Sequence, residues 1–179
     1  YLKKKIKVSS FNGLLLWEPW EVLKDNGTPY KVFTPYYKRG CLSKPPPREP
    51  KETNLKIYDH NFKQTSLKDL KLLKNKKWEE KILTNWKISE VEAKNTMKSF
   101  FLNGVSDYSE GRNFPSKKNV SRLSPYIHWG QISVNTLWYN AMNISTTMSS
   151  NSAEVFMSEL GWREFAYYLL FHFPNLQTE

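Results

Sequence analysis

Between Ser43 and Pro50 the chain reads Ser-Lys-Pro-Pro-Pro-Arg-Glu-Pro, so four of eight positions are proline. Proline fixes φ and offers no amide hydrogen, and neither a helix nor a central strand can run through such a stretch. The chain must therefore fold as two parts joined by an extended, charged connection from Ser43 to about Lys56, with no core of its own. Material for packing is ample on both sides. Hydrophobic residues make up 39% and aromatic residues 15%, with seven Trp, which argues against a disordered basic tail.

Charge narrows the partners. Lys and Arg number 27 against 17 Asp and Glu, a net +10 spread along the whole chain, which points to a polyanion. Cys41 is the single cysteine and cannot close an internal disulfide, while His60, His128 and His172 lack the spacing of a zinc site. Disulfide scaffolds and zinc modules are excluded, and no metal is expected. The sequence holds no apolar run of about 18 residues, and Tyr1 to Ser10 carry lysines without a signal-peptide stretch. These features describe a soluble monomer of a reducing compartment that does not engage membranes. The start at Tyr1, and the close at Gln177-Thr178-Glu179 just after an amphipathic segment, lead us to expect an internal piece of a longer chain.

In the first part, Ile6-Lys7-Val8 and Gly13-Leu14-Leu15-Leu16-Trp17 read as short strands. Asp25-Asn26-Gly27-Thr28-Pro29 is a turn, and Tyr30-Lys31-Val32-Phe33 alternates until Pro35. Residues 60 to 85, rich in Lys and Leu, read as a solvated loop with a short helix. Helical signals strengthen from Ser89. Ser89-Glu90-Val91-Glu92 fits a capping box, Ala93, Met97, Phe100 and Phe101 share a face, and Gly104 falls where a left-handed C-terminal residue is wanted. This predicts a helix over 89–103. Ser124-Pro125 reads as an N-cap before proline, Ser133 as the cap of a helix to about Met142, and Ser152 as the start of a long helix to about Phe173.

Two constellations could carry chemistry. The first is the loop from Asp107 to Pro125, in which Tyr108, Ser109, Arg112, Ser121, Arg122 and Ser124 gather hydroxyls and two cations. Free amides at a helix start, with Ser121, Ser124 and Arg122, make a cradle for an anion such as phosphate. The residues alone leave open that Ser124 merely caps a helix and that the arginines are solvated. The second is the long last helix, where Phe156, Glu159, Leu160 and Arg163 recur on one face with Trp162 at its flank. An ordinary surface pair between Glu159 and Arg163 would look the same. So would a helix presenting a stacking ring and hydrogen-bonding groups to a planar ligand or a displaced base.

At these positions the chain resembles the DNA photolyase/cryptochrome family. The resemblance rests on Tyr108-Ser-Glu-Gly-Arg112-Asn-Phe-Pro115, then Val120-Ser-Arg-Leu-Ser-Pro-Tyr-Ile-His-Trp-Gly-Gln-Ile-Ser133, then Ser158-Glu-Leu-Gly-Trp-Arg-Glu-Phe165. Upstream, Pro29-Tyr-Lys-Val-Phe-Thr-Pro-Tyr36 is similar to the segment that closes the family's antenna domain. The resemblance implies a mainly α chain in three pieces: residues 1–42 as the end of an α/β antenna domain, 43–85 as the interdomain linker, and 86–179 as the first half of the all-helical FAD-binding domain. It implies FAD held by Tyr108, Val120, Ser121, Arg122, Leu123 and Ser124 on the phosphate and ribose side. Phe156 and Arg163 would lie against the flavin.

Arg112 would contact a DNA phosphate, and Glu159 and Trp162, with Arg163 beside them, would face a pyrimidine dimer flipped from the duplex. The family's reaction is light-driven: photoexcited reduced FAD lends an electron to the cyclobutane dimer, the ring opens and the electron returns. Two positions depart from the usual pattern, Val120 for a common threonine and Phe156 for a common tryptophan. On the resemblance, the remaining flavin wall and the electron-transfer tryptophans would follow Glu179. The sites of a folate or deazaflavin antenna would precede Tyr1.

Glu159 with Trp162 favours a cyclobutane-dimer photolyase over a signalling cryptochrome, which needs no lesion-facing pair. Ser121-Arg122-Leu123-Ser124-Pro125 also differs from the Lys-Phe-Ser-Pro wording of single-strand-preferring cryptochromes. A cofactor-free basic helical nucleic-acid binder would explain the charge and the aromatics but not the three ordered blocks. The compartment implied is a bacterial cytoplasm, at the nucleoid, or a eukaryotic nucleus.

Overall fold

The computed structural model describes residues 7–51, 54, 56, 65–66, 69–72, 77–148 and 151–178, and these form helices and loops with no strand among them. In chain order the helices are α1 (Phe33–Pro35, continued as a π-helix over Tyr36–Cys41), α2 (Lys77–Asn85), α3 (Glu90–Ser99, continued as a π-helix over Phe100–Gly104), α4 (Tyr108–Gly111), α5 (Ser124–His128), α6 (Val134–Met148) and α7 (Asn151–His172). A 3-10 turn follows at Pro174–Gln177. No described helix is long and apolar enough to cross a membrane.

The strands expected in the first part are not formed, and the hydrogen bonds show why. The amides of Leu14 and Leu15 donate to Asn12 Oδ1 at 3.2 and 3.0 Å, and that of Leu16 donates to Glu164 Oε2 at 2.7 Å. Tyr30 N–H donates to Tyr168 Oη at 2.9 Å. Donors that a sheet ladder would need are taken by side chains. Pro35, read as a strand stop, instead sits in the opening turn of α1, where a missing amide hydrogen costs nothing. Ile6 lies outside the described residues. The turn at Asp25–Pro29 forms as expected, with Gly27 at φ +75° and Thr28 bonded to Asn26 Oδ1 through both its amide and its hydroxyl.

Helix boundaries shift where side chains find other work. Ser89 Oγ accepts from Glu92 N–H at 3.0 Å, as the capping box requires, while Glu92 Oε1 lies 3.5 Å from Asn95 Nδ2. Gly104 is not left-handed. It sits inside the π-helix, where a Cβ would come within 3.0 Å of the Phe100 ring. At α5 the cap moves by one residue: Leu123 is the N-cap, Ser121 Oγ accepts from Leu123 N–H at 3.4 Å, and Ser124 is already helical. Ser133 Oγ does cap α6 through Asn135 N–H at 3.2 Å. That helix runs on to Met148, six residues past the expected Met142, because residues 143–148 contain no proline or glycine to break it. Ser152 falls within α7 instead of capping it, and bonds the Ser106 carbonyl and Ser109 Oγ at 2.9 and 3.1 Å.

α7 is the central helix of the packing. It packs along α6, carries α4 on another side and receives the π-turn of α1. Its buried stripe is Ala153, Phe156, Leu160, Gly161, Glu164, Phe165 and Tyr168, at helical spacing. One continuous core joins these side chains to Leu16, Trp17, Val22, Tyr30, Phe33, Tyr36, Tyr37 and Cys41 from before the proline run. Residues 45–51 of the connection form no helix or strand and are strapped down: Trp17 Nε1, Tyr139 Oη and Asn135 Nδ2 donate to the carbonyls of Pro45, Pro47 and Arg48. Such bonds satisfy a backbone that proline leaves without a ladder.

The tightest approach lies between α7 and α1. A Cβ on Gly161 would sit 2.6 Å from two ring carbons of Tyr37, which is itself buried and stacked on Phe33. Gly161→Ala should therefore destabilise the fold by about 1–3 kcal/mol, the usual toll of overpacking, even though alanine favours a helix by about 1 kcal/mol. Thermal unfolding reads this as a drop of several degrees. An unchanged or raised midpoint would mean that the Tyr37 ring yields freely.

Candidate functional site

Six of the residues that the resemblance assigns to the site line one cleft of about 420 Å3: Tyr108, Ser121, Ser124, Phe156, Glu159 and Arg163, with Ile127, His128, Leu160 and Tyr167 completing its walls. They come from α4, the loop before α5, α5 itself and α7. Phe156 is buried on α7, with the Tyr108 ring edge-on to it at 5.5 Å and the Phe100 ring tilted against it at 4.9 Å between centroids. Burial holds the Tyr108 phenol above its ordinary pKa, and the Glu159 carboxylate adds to the shift while Arg112 opposes it.

The electrostatics differ from the expected pairing of Glu159 with Arg163. Glu159 Oε1 pairs with Arg112 Nη1 at 2.5 Å, and both side chains are about one-third exposed. That hydrogen bond raises the Arg112 pKa above its usual value. Arg163 Nη1 instead meets Glu164 Oε1 at 2.7 Å, where the acid is 1% exposed. The guanidinium of Arg163 lies 5.0 Å over the Tyr167 ring, and its Nη2 is buried with no hydrogen-bond partner. Burial pushes the Glu164 carboxyl up to about 7, against the downward pull of Arg163 and the amides of Leu16 and Trp17.

The other sequence candidates stand elsewhere. Leu123 is fully buried in the core. Val120 and Arg122 line an adjoining cleft of about 580 Å3 together with Lys118, and Ser121 lines both clefts. Arg122 is held in the left-handed region at φ +53°, with its guanidinium 4.6 Å from the Trp86 ring. A non-glycine residue there carries strain that packing must sustain, a trait concentrated at functional loops. Trp162 does not line the cleft. It is 48% exposed and stacks face to face on Phe33 at 3.8 Å and 13°, and Phe33 stacks in turn on Tyr37 at 5.4 Å and 11°.

Sequence reasoning missed Phe33, taken for a strand residue, and Glu164, which stands inside a quoted block without a role. Tyr167 and His128 were within reach, lying four positions beyond Arg163 and Ser124 on the same helices.

A deoxyribodipyrimidine photo-lyase of Agrobacterium fabrum (strain C58 / ATCC 33970) is 35% identical over 185 residues, covering 98% of this chain and 38% of that protein. The crystal structure of a bacterial class III photolyase from Agrobacterium tumefaciens superposes with a TM-score of 0.80 at 34% identity, over 93% of this chain and 35% of that one. The chain belongs to the DNA photolyase/cryptochrome family. The family model described as DNA photolyase matches residues 1–52. A cryptochrome is similar as well: Cryptochrome-2 of Arabidopsis thaliana is 28% identical, across 97% of this chain and 30% of its own length. The chain thus spans well under half the length of each of these relatives.

Glu164 gives this photolyase-family chain a testable pH dependence. With a carboxyl that titrates near 4.5 when unfolded and near 7 when folded, the folded state holds a proton the unfolded state releases between those values. The stabilisation is complete below about 4.5 and is lost as the pH rises through about 7. The urea midpoint of the wild type should fall relative to that of Glu164→Gln as pH is raised across this window. Parallel pH profiles would show that Glu164 does not titrate there.

Proposed function

We propose that this chain serves light-driven repair of cyclobutane pyrimidine dimers in DNA, with FAD seated in the cleft of Tyr108, Ser121, Ser124, Phe156 and Arg163. The observation that carries this reading is the Arg163 Nη2, a buried cationic nitrogen without a partner beside a cleft lined by rings and hydroxyls. Leaving such a donor unmade is costly, and an acceptor on a bound heteroaromatic ligand would satisfy it. The residues present fit the flavin. A cleft of 420 Å3 is of small-molecule size. Lys118, Val120 and Arg122 in the adjoining cleft, with the Leu123 backbone behind them, supply a basic neighbourhood for phosphates, and Ser121 is common to both clefts.

Reduced FAD, when bound and excited by light, supplies the electron that opens the dimer. The protein's own side chains hold the two reactants and keep water away. Trp162, backed by Phe33 and half exposed, is a platform on which a flipped pyrimidine can stack. Arg112 is poised for a DNA phosphate. Its pair with Glu159 is partly solvated and worth about 1 kcal/mol or less, so a phosphate can compete for it. Glu159, released in this way, is free to face the flipped dimer and hydrogen-bond to its edge. In this reading residues 1–42 close an antenna domain that could house a folate or deazaflavin, 43–85 are the linker, and 86–179 open the FAD-binding domain of a monomer working at the nucleoid or in a nucleus.

Trp162→Ala should weaken binding of dimer-containing DNA by about 1–3 kcal/mol, the usual worth of a base–aromatic stack, while leaving bound FAD unchanged. Loss of FAD with lesion preference intact would move this face to cofactor holding and favour a cryptochrome-type receptor.

Arg112→Ala should flatten the salt dependence of DNA affinity by roughly one unit of slope. An unaltered slope would mean that Glu159 keeps Arg112 and no phosphate displaces it.

A further inference from the structure

Arg163, in the cleft wall, has one buried amino group, Nη2, without a partner while Glu164 takes the other, and Glu164 is itself held from outside the helix. Its Oε2 accepts the Leu16 amide at 2.7 Å while its Oε1 accepts Arg163 Nη1 at 2.7 Å. Tyr167 lies under the guanidinium, so three groups fix its plane: the Tyr167 ring, the carboxylate and, through it, the backbone before the proline run. We infer that Glu164 is a positioning residue, clamping Arg163 so that Nη2 is presented to a ligand acceptor in the cleft and coupling that presentation to the segment Leu16–Trp17. The clamp is ligand-independent. Only the identity of the acceptor rests on the flavin reading above.

The clamp is strongest with Glu164 ionised, since a carboxylate accepts from both donors at once and from the cation with charge assistance. Protonation places a hydrogen on one oxygen and weakens the bond to one donor. The groups facing Glu164 are Arg163 from its own helix, the Leu16 and Trp17 amides, and Tyr36 and Cys41 from α1. Tyr36 and Cys41 are held protonated by burial, the thiol pushed up to about 12, so Arg163 is the charge that the carboxylate meets near neutrality. Ionisation weakens the fold, because burial opposes the charge, yet it tightens the grip on Arg163.

The test is side-chain NMR of the 15N-labelled chain, in which a clamped guanidinium shows separate, slowly rotating Nη groups and a free one shows a single averaged signal. The five arginines are distinguished by assigning Arg163 through Arg163→Lys. At pH 8 the wild type should show resolved Nη signals for Arg163 that merge as the pH falls below 7, and Glu164→Gln should show them merged throughout. The wild-type pH series stands alone should the variant fail to fold. Signals still resolved in a folded Glu164→Gln, or unmoved by pH in the wild type, would overturn the clamp.

A parallel titration of the full-length protein with FAD separates the two readings. Glu164→Gln should raise the Kd about tenfold, the loss of one hydrogen bond of ordinary net strength, and should add nothing on an Arg163→Ala background. A clamp seen by NMR without any FAD binding upholds Glu164 and removes the flavin. FAD binding that Glu164→Gln leaves unchanged removes the positioning role and keeps the flavin.

Discussion

Burying the Glu164 carboxylate would cost several kcal/mol if it were left alone, and the structure answers that cost with three donors taken from two distant parts of the chain. Two are backbone amides at Leu16 and Trp17; the third is Arg163, next along α7. The acid therefore does two things that no apolar residue could. By taking the amides of Leu16 and Trp17 it leaves residues 14–17 without the donors a strand needs, those of Leu14 and Leu15 going to Asn12, and it fixes how the first part of the chain docks on the helix that carries the cleft. Remove one donor and the remaining charge is stranded, so these contacts stand or fall together.

The aromatic side chains extend the same logic on the other face of α7. Gly161 leaves room for Tyr37, Tyr37 stacks on Phe33, and Phe33 supports Trp162 at the surface. The exposed ring is thus oriented by residues more than a hundred positions earlier. The proline run fits this arrangement: its carbonyls accept bonds from Trp17, Tyr139 and Asn135, so the connection is tied at several points along its course. Segments on both sides of the proline run build one core, and the cleft inherits its shape from both.

What was legible in the sequence follows from range. Ser89, Ser133, the proline at the head of α5 and the turn at Gly27 act over three or four residues, and each forms as its local chemistry requires. Five of the six cleft residues lie in the three ordered blocks of sequence, and Phe156 stands two positions before the third. The strands failed because alternation is only half of a strand. The other half is a neighbour with free donors and acceptors, and Leu14–Trp17 spends its donors on Asn12 and Glu164. Arg163 was read with Glu159, its partner at i+4, whereas tertiary packing gave it the adjacent Glu164 and gave Glu159 to Arg112. No periodicity along one helix can foresee a partner supplied by another.

The two ion pairs so formed differ in kind, and the difference suits a site that must hold one ligand while admitting another. Arg112–Glu159 joins the residue that ends α4 to α7 at the surface with both partners about one-third exposed, so water and salt weaken it and an incoming anion can exchange with it at little cost. Arg163–Glu164 lies deeper, with the acid almost wholly enclosed, and opening it would leave a buried charge unpaired. The inner pair is accordingly a fixed part of the cleft wall, and the outer pair is the part that can change when a polyanion arrives. Both are set by α7, whose residues 159, 163 and 164 reach three different surroundings from a little over one turn of helix.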